Sequence, residues 1–147
     1  FCAFRTSRRE NPAALQGFHS ENMLILVDEA SGVPDVVFQV GEGAMSTKAA
    51  KTVLPGNPTR AEGFFFDAFH SNREQWHCMK VSCADSDTVD PKCGEDMAEK
   101  YGGDSNTYLV RVAGDFPTQS YDVLVALHRV EDAVSRGVEA ALTTPVV

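Results

Sequence analysis

Uninterrupted apolar runs are the clearest pattern along this chain of 147 residues. The stretch LILV at 24–27 and the stretch TVL at 52–54 place branched side chains at successive positions, without the polar alternation of a half-exposed strand. Continuous Leu, Ile and Val are typical of parallel strands that are covered on both faces. We therefore predict two buried, parallel strands, each ending where polar and turn-forming residues begin.

Segments with helical periodicity or aromatic clusters separate and follow these strands. Five helices are predicted, at Pro12–Gly17, at Pro34–Gly41, within 62–72, from Pro91 to the stop signal at Gly102 and Gly103, and as an amphipathic segment over 127–142. Prolines suit the first turn of a helix and glycines suit its end. Three further strands are predicted at 1–7, 76–83 and 106–117. The succession of strands and helices indicates one α/β domain, or part of one, with a mostly parallel sheet.

Composition and charge indicate a globular domain and argue against several other classes of protein. The chain is 43% hydrophobic and 23% charged, as ordinary globular domains are. Its formal net charge of -8 argues against a free-standing nucleic-acid binder, which usually carries a basic face. No apolar run is long enough for a membrane-spanning helix. Both ends are apolar, FCAF and TTPVV, which leads us to expect a piece of a longer polypeptide.

Polar, chemistry-bearing residues follow both predicted strands. Asp28 and Glu29 come directly after the first strand, and PGNPTR at 55–60 follows the second. In open parallel sheets, ligands bind at the carboxyl ends of the strands. A carboxylate there could hold a phosphate-bound Mg²⁺, and a second could orient a hydrolytic water and take its proton. Asn57 or Thr59 could then contact the γ-phosphate or that water, so the two strand ends predict a nucleotide site.

Each half of this candidate site also has a simpler structural explanation. Strands end in polar residues, and an apolar run followed by Asp-Glu occurs by chance in many α/β proteins. Gly, Asn and Pro are the residues of tight turns. The string G-x-x-x-x-G-K-[ST] of a phosphate-binding loop does not occur, and GEGAMSTK at 41–48 has its ingredients in the wrong order. For a nucleotide site, we expect the phosphate-cradling half to lie upstream of Phe1.

Other groups of chemistry-bearing residues favour structural roles. The four cysteines lack the C-x2-C spacing of a zinc site, even with His77 added, which favours reduced thiols. A metal nuclease would draw its acids from separate strands, whereas three candidates share one polar loop, at Asp85, Asp87 and Asp90. The four histidines are scattered, and none has a catalytic partner at motif spacing.

Four segments, in the same order, resemble the large terminase subunit of tailed bacteriophages, the ATP-driven DNA-packaging motor. They are RRENPAALQGFHSENMLILVDEASGVPDVVF, GNPTR, GFFFDAFHSNREQWHCMKVSC and YLVRVAGDFP. The resemblance extends from about Arg5 to Ala133, and ordered agreement over most of a chain is more specific than any single motif. It implies a partial P-loop NTPase fold of the ASCE type, with flanking helices around a mostly parallel sheet.

The resemblance also implies roles for the residues at the strand ends. LILVDEA matches the family's Walker B strand, so Asp28 would hold Mg²⁺ and Glu29 would be the catalytic base for ATP hydrolysis. GNPTR matches the motif that couples the γ-phosphate to motor movement. The residues carried over from that motif are Asn57 and Thr59 as catalytic residues, and Gly56 and Arg60 as nucleotide-binding residues. Such motors also use an arginine in the transition state; Arg8 and Arg9 are candidates, although a solvated basic turn explains both.

Domain organisation and partners follow from the same resemblance. Residues 1–117 would be the C-terminal half of the ATPase domain, without Walker A, and 118–147 the linker towards an absent nuclease domain. The chain alone is then expected to hydrolyse ATP negligibly. The implied partners are double-stranded DNA, the portal protein, the small terminase subunit and further copies in a ring, in the cytoplasm of the bacterial host. The alternative is a small non-catalytic α/β interaction module, or a prophage remnant without ATPase activity.

Overall fold

The computed structural model of the chain describes residues 2–6, 10, 12, 17, 20–44, 48–118 and 133–134. Within these ranges lie two strands, four helices and several tighter turns. The strands are β1 (Leu24–Leu26) and β2 (Lys51–Val53). The helices are α1 (Asp35–Ala44), α2 (Phe64–Phe69), α3 (Lys92–Tyr101) and α4 (Asn106–Tyr108), the last continuing into a π-helical turn at Leu109–Ala113. Short 3₁₀ turns occupy Ala30–Gly32, Arg73–Gln75 and Cys83–Asp85.

The two strands pair in parallel with α1 as their connection. Ile25 lies opposite Thr52, with Leu24 opposite Lys51 and Leu26 opposite Val53 on either side. Parallel neighbours need a crossover connection of this kind, which is usually a helix. The predicted parallel pair and the α/β class are thereby confirmed, and the second strand begins and ends one residue before its predicted position. The P-loop NTPase architecture remains a prediction.

One face of this strand pair is open among the described residues. Leu24 and Leu26 are 63% and 64% exposed, and Val53 is 46% exposed. Successive strand side chains point to opposite faces, so Leu24 and Leu26 share a face that the described elements leave largely uncovered. The prediction that both strands are buried on both faces is therefore wrong for this part of the chain.

An aromatic core lies on the side of α1 and α2. Its buried members are Ala30, Phe38 and Phe65, with half-buried apolar residues packed around them. The ring of Phe38 in α1 stacks on Phe64 of α2 at a centroid distance of 4.4 Å, and the single tryptophan, Trp76, meets Phe64 edge to face at 5.8 Å. These ring contacts hold α1 and α2 against each other, because aromatic pairs bury large areas in preferred geometries, and Ala30 joins the segment after β1 to the same core.

Several predicted elements are confirmed by these bounds. The predicted helix at Pro34–Gly41 corresponds to α1, which extends further to Ala44. The phenylalanine-rich segment forms α2, and the predicted helix from Pro91 corresponds to α3. Gly102 ends α3 with φ 88°, a backbone conformation that glycine adopts without steric penalty.

Three predicted strands are wrong. Residues 2–6 and 76–82 belong to no strand, and Met79 and Val81 are exposed on the second of these segments. The segment 106–113 is helical, because the Ser105 hydroxyl accepts a hydrogen bond from the Tyr108 amide and starts a helix there. Val110 and Val112 are both buried in the following wide turn, so tertiary packing overrides their preference for strands.

The remaining predictions on element positions lie outside the described residues. The helix predicted at Pro12–Gly17 falls there except for its two end residues, and so does the helix predicted over 127–142, of which only 133–134 are described and are helical. Arg8 and Arg9 also lie outside the described residues. The domain boundary at 117 stays a prediction.

Gly114, which ends the π-helical turn, provides a test of the packing around the aromatic core. Its φ is 66°, and a Cβ atom there would lie 2.6 Å from the carbonyl oxygen of Val81. Because a left-handed conformation costs an alanine about 1–2 kcal/mol and the clash adds to it, Gly114→Ala should lower the free energy of unfolding by about 2 kcal/mol or more. Urea unfolding followed by Trp76 fluorescence measures this change.

The matched control is Gly103→Ala, where the added Cβ meets open space and φ is not positive. This variant should unfold close to the wild-type midpoint. Equal midpoints for the two variants would contradict the tight approach of Gly114 to Val81.

Candidate functional site

The backbone pairing of β1 and β2 continues beyond both strands and brings their carboxyl ends together. The Val27 amide donates to the Val53 carbonyl at 3.0 Å, and the Ala30 amide donates to the Pro55 carbonyl at 3.1 Å. The acid pair Asp28–Glu29 is held between these two hydrogen bonds. The structure therefore places the acids beside the start of the PGNPTR segment.

Gly56 makes the closest approach between the two segments. A Cβ atom at this position would lie 2.9 Å from the Ala30 amide nitrogen and 3.2 Å from both the carbonyl carbon and the Cα of Glu29. Backbone atoms cannot move aside as a flexible side chain can, so only glycine fits here without displacement. The residue predicted to bind nucleotide is thus also the residue that lets the two segments meet.

Asp28 and Glu29 are both exposed at this edge. The Glu29 amide donates to Oδ1 of Asp28 at 3.0 Å. Glu29 has φ 51° and ψ 44°, and it is the single non-glycine with positive φ among the described residues. This left-handed conformation costs about 1–2 kcal/mol, and residues held in it cluster at active sites and ligand clamps. The left-handed backbone at Glu29 is thus a feature that the sequence does not reveal, at a residue that the sequence already made a candidate.

Ser31 connects the acid pair to the far end of the PGNPTR segment. Its side chain is 5% exposed, which makes it the one buried polar residue in the described part of the chain. Its Oγ accepts hydrogen bonds from the Thr59 hydroxyl at 3.1 Å and from the Arg60 amide at 3.2 Å. The hydroxyl thus bridges two segments that are 28 residues apart in sequence.

The middle of the segment forms a tight turn. The Thr59 amide donates to the Asn57 carbonyl at 2.8 Å, and Pro58 is buried between these residues. Asn57 and Arg60 are exposed, while Thr59 is half-buried. Of the segment's candidate side chains, Asn57 and Arg60 are therefore accessible to a ligand, whereas the Thr59 hydroxyl is engaged by Ser31.

A cavity of about 410 Å³ lies on the other flank of the PGNPTR segment. Its walls combine residues 54–58 with the aromatic side chains of Phe65, Phe69 and Phe116. An ion pair between Lys80 and Asp115 lines the same cavity, with an Nζ–Oδ1 distance of 2.5 Å. Asp28 and Glu29 are not among its lining residues, so the acids lie at a separate surface.

The sequence of the chain is similar to that of a known phage protein. The alignment covers 93% of the chain, which is 33% identical in it to a protein described as a probable terminase, large subunit, of Enterobacteria phage P7. The chain is related to the phage large terminase subunits. It spans about 29% of that relative's length. No family model and no solved structure matches the chain.

The similarity confirms the resemblance drawn from the sequence, and it does not favour the alternative of a small non-catalytic interaction module or prophage remnant. All six predicted site residues of this terminase-related chain lie within the two adjoining segments, 28–31 and 55–60. Sequence reasoning missed Ser31, because a serine after DEA carries no motif signal of its own. The small residues after the acid pair, Ala30 and Ser31, were the available sign that this turn packs closely against something.

Several other acids and thiols in the described part of the terminase-related chain have structural partners. The Ser82 hydroxyl and the Ser82 amide both donate to the Asp85 carboxylate, and together with the nearby Lys80 charge they lower the pKa of Asp85. The Asp90 carboxylate accepts from the Lys92 amide at the start of α3. The Cys78 thiol donates to the Ala68 carbonyl, at 3.1 Å. Two of the three acids in the polar loop therefore cap turns.

In the described ranges, no three or more His, Cys, Asp or Glu side chains cluster as a ready-made metal cage. Mg²⁺ in nucleotide complexes is commonly bound by one or two carboxylates together with substrate phosphates and waters, so Asp28 fits this mode better than an all-protein cage. Among the same described helices, none is long and apolar enough to cross a membrane.

Proposed function

We propose that this chain is part of a phage or prophage large terminase subunit, the ATP-driven DNA-packaging motor. In it, the chain contributes the residues that hydrolyse ATP. The observation that carries the proposal is the joining of two strand ends: the acid pair after β1 lies against the GNPTR segment after β2. Ligand sites of open parallel sheets lie at such carboxyl ends. A carboxylate pair beside a Gly-Asn-Thr segment suits hydrolysis of a phosphoanhydride.

Asp28 is the proposed Mg²⁺ ligand. Its exposed carboxylate is a hard oxygen donor, and the hydrogen bond from the Glu29 amide to Oδ1 orients the group. Bound Mg²⁺ would neutralise charge on the transferring phosphoryl group. The short peptide link to β1 fixes the position of this carboxylate relative to the sheet.

Glu29 is the proposed catalytic base. Its side chain is exposed at the same edge, where it can orient a water molecule and accept its proton as that water attacks phosphorus. The left-handed backbone at Glu29 holds this side chain in an arrangement that a regular continuation of β1 would not produce. Asp28 and Glu29 thus divide metal binding and proton transfer between neighbouring residues.

The GNPTR segment is the proposed sensor of the γ-phosphate. Asn57 offers an exposed amide that can hydrogen-bond to a phosphate oxygen or to the attacking water, and the Arg60 guanidinium adds positive charge. Thr59 contributes by anchoring the segment to Ser31. Loss of the phosphate would free Asn57, and the segment could then transmit that change.

The partners proposed for the intact large subunit are double-stranded DNA, the portal protein, the small terminase subunit and further copies of itself in a ring. Its place of action is the cytoplasm of the bacterial host. These proposals rest on the relation to large terminase subunits.

Replacement of Asp28 by asparagine in the intact large subunit tests the metal role. The variant loses a charged Mg²⁺ ligand while its volume stays nearly the same. We expect Mg²⁺-dependent ATP turnover to fall roughly 100-fold or more, because metal stabilisation of transferring phosphoryl groups is worth several kcal/mol. Phosphate release across a Mg²⁺ titration measures this.

Asp87→Asn is the matched control, since Asp87 is an exposed aspartate of the polar loop. It should keep the wild-type rate and the wild-type dependence on Mg²⁺. An Asp28→Asn subunit with an unchanged Mg²⁺ dependence would refute Asp28 as the ligand.

A further inference from the structure

We infer that Ser31 is a positioning residue, which holds the catalytic acids in register with the phosphate-sensing segment; this inference rests on the proposed function. Ser31 lies two residues after Glu29 and contacts no reacting group in the proposed mechanism. Its action is through the position of Glu29 on one side and of Thr59 on the other.

Hydrogen-bond directions define this role. The Thr59 hydroxyl and the Arg60 amide both donate to the same oxygen, Oγ of Ser31, at 3.1 and 3.2 Å. Ser31 is a buried residue and both bonds are partly buried, so water competes less for them than at the surface. Replacing Ser31 by alanine would remove the acceptor and leave the Arg60 amide without this partner.

The two residues that follow Glu29 are both hydrogen-bonded to the segment after β2. The Ala30 amide is tied to the Pro55 carbonyl at 3.1 Å, and Ser31 is tied to residues 59 and 60. Glu29 directly precedes these two anchors, with a strained left-handed backbone. A displacement of the 57–60 turn is therefore carried through Ser31 and Ala30 to the peptide of Glu29.

This geometry predicts a selective effect on the chemical step. A misplacement of about 1 Å at a catalytic group can lower a rate roughly 100-fold. A serine that only satisfied a turn would affect stability, and its loss would not separate kcat from KM. A positioning serine would lower kcat while the KM for ATP stays nearly constant, because nucleotide binding does not use Ser31.

The experiment compares four forms of the intact large subunit with wild type: Ser31→Ala, Thr59→Val, the double variant and Ser71→Ala. Ser71 is an exposed serine whose hydroxyl donates to Asp67 at 3.2 Å, so its variant removes the same chemical group away from the site. We expect Ser31→Ala and Thr59→Val to lower kcat roughly 10- to 100-fold, with KM for ATP within about threefold of wild type. The double variant should be no slower than the slower single variant, because both changes break one connection.

Glu29→Ala is measured alongside, so that a failure of the positioning role of Ser31 can be told apart from a failure of the proposed function. Wild-type kcat in Ser31→Ala, or full additivity in the double variant, with an inactive Glu29→Ala overturns the positioning role and leaves the proposed function standing. Wild-type ATP turnover in Glu29→Ala overturns both the proposed function and the positioning role of Ser31. If Ser31→Ala does not fold, Thr59→Val decides alone, and an unchanged kcat there overturns the inference.

Discussion

Replacing Glu29 by alanine in the intact large subunit is expected to abolish ATP turnover while nucleotide binding stays largely intact. The alanine lacks the carboxylate that would orient the water and accept its proton, and a general base contributes typically 10²- to 10⁴-fold to a rate. Asp28, the proposed Mg²⁺ ligand, is unchanged in this variant, so we expect nucleotide binding to persist. Steady-state phosphate release and a nucleotide-binding titration measure the two effects separately.

Two features of the structure make this substitution informative. Glu29 is exposed, so its truncation leaves no cavity, and alanine meets the same left-handed strain as glutamate. A loss of turnover is then not explained by unfolding. Glu99→Ala on α3 removes an equally exposed glutamate far along the chain and should keep full activity. Unchanged turnover in Glu29→Ala would exclude Glu29 as the base.

The second large effect is expected at Gly56, where an alanine would force the two strand ends apart. Its Cβ would meet the backbone of Glu29 and Ala30 at 2.9 to 3.2 Å, and the hydrogen bond from Ala30 to Pro55 would have to lengthen. Overpacking of this kind costs typically about 1–3 kcal/mol of stability. Because the same movement displaces Glu29, we also expect the intact large subunit to lose ATP turnover.

Gly32→Ala is the matched control for Gly56→Ala. Gly32 ends the 3₁₀ turn that follows the acid pair, its φ is not positive, and an added Cβ would meet open space. It should unfold near the wild-type urea midpoint, as read from Trp76 fluorescence, whereas Gly56→Ala should unfold at a clearly lower concentration. Coincident transitions for the two variants would argue against the close approach of the segments.

The part of the site that sequence predicts well is the part governed by local rules. Two apolar runs with a helix between them predict a parallel pair, and parallel strands bring their carboxyl ends to one edge. The meeting of Asp28 with the segment after β2 follows from that alone. The stop of α3 at Gly102 follows equally from the freedom of glycine at positive φ.

The elements that sequence predicts wrongly depend on contacts between distant residues. The alternation of Val110 and Val112 reads as a strand, but both side chains are buried in a π-helical turn that Ser105 and α4 lead into. A Cβ atom added to Gly94 on α3 would lie 3.7 Å from Cγ1 of Val112, a proximity that no local pattern indicates. The exposed faces of Leu24 and Leu26 likewise depend on what packs against the sheet, which a Leu/Ile/Val run does not specify.

Within the site too, local sequence predicts some features, whereas others depend on contacts between distant residues. Asp28, Glu29 and the GNPTR segment could be found by residue type and by the resemblance to large terminase subunits. The bridge through Ser31 could not, because it joins residues 28 positions apart through one hydroxyl. The left-handed backbone of Glu29 is also invisible in sequence, and it occurs next to the long-range hydrogen bonds of Ala30 and Ser31.

Glu29, beside the GNPTR segment, is proposed to activate the water that hydrolyses ATP. The most direct test of this role is a single-turnover experiment in which radiolabelled ATP and Mg²⁺ are mixed with an excess of the intact large subunit, and the bound nucleotide is analysed over time. Wild type should convert the bound ATP to ADP and phosphate, while Glu29→Ala should retain it as ATP over the same period. Conversion by Glu29→Ala at the wild-type rate would contradict the claim.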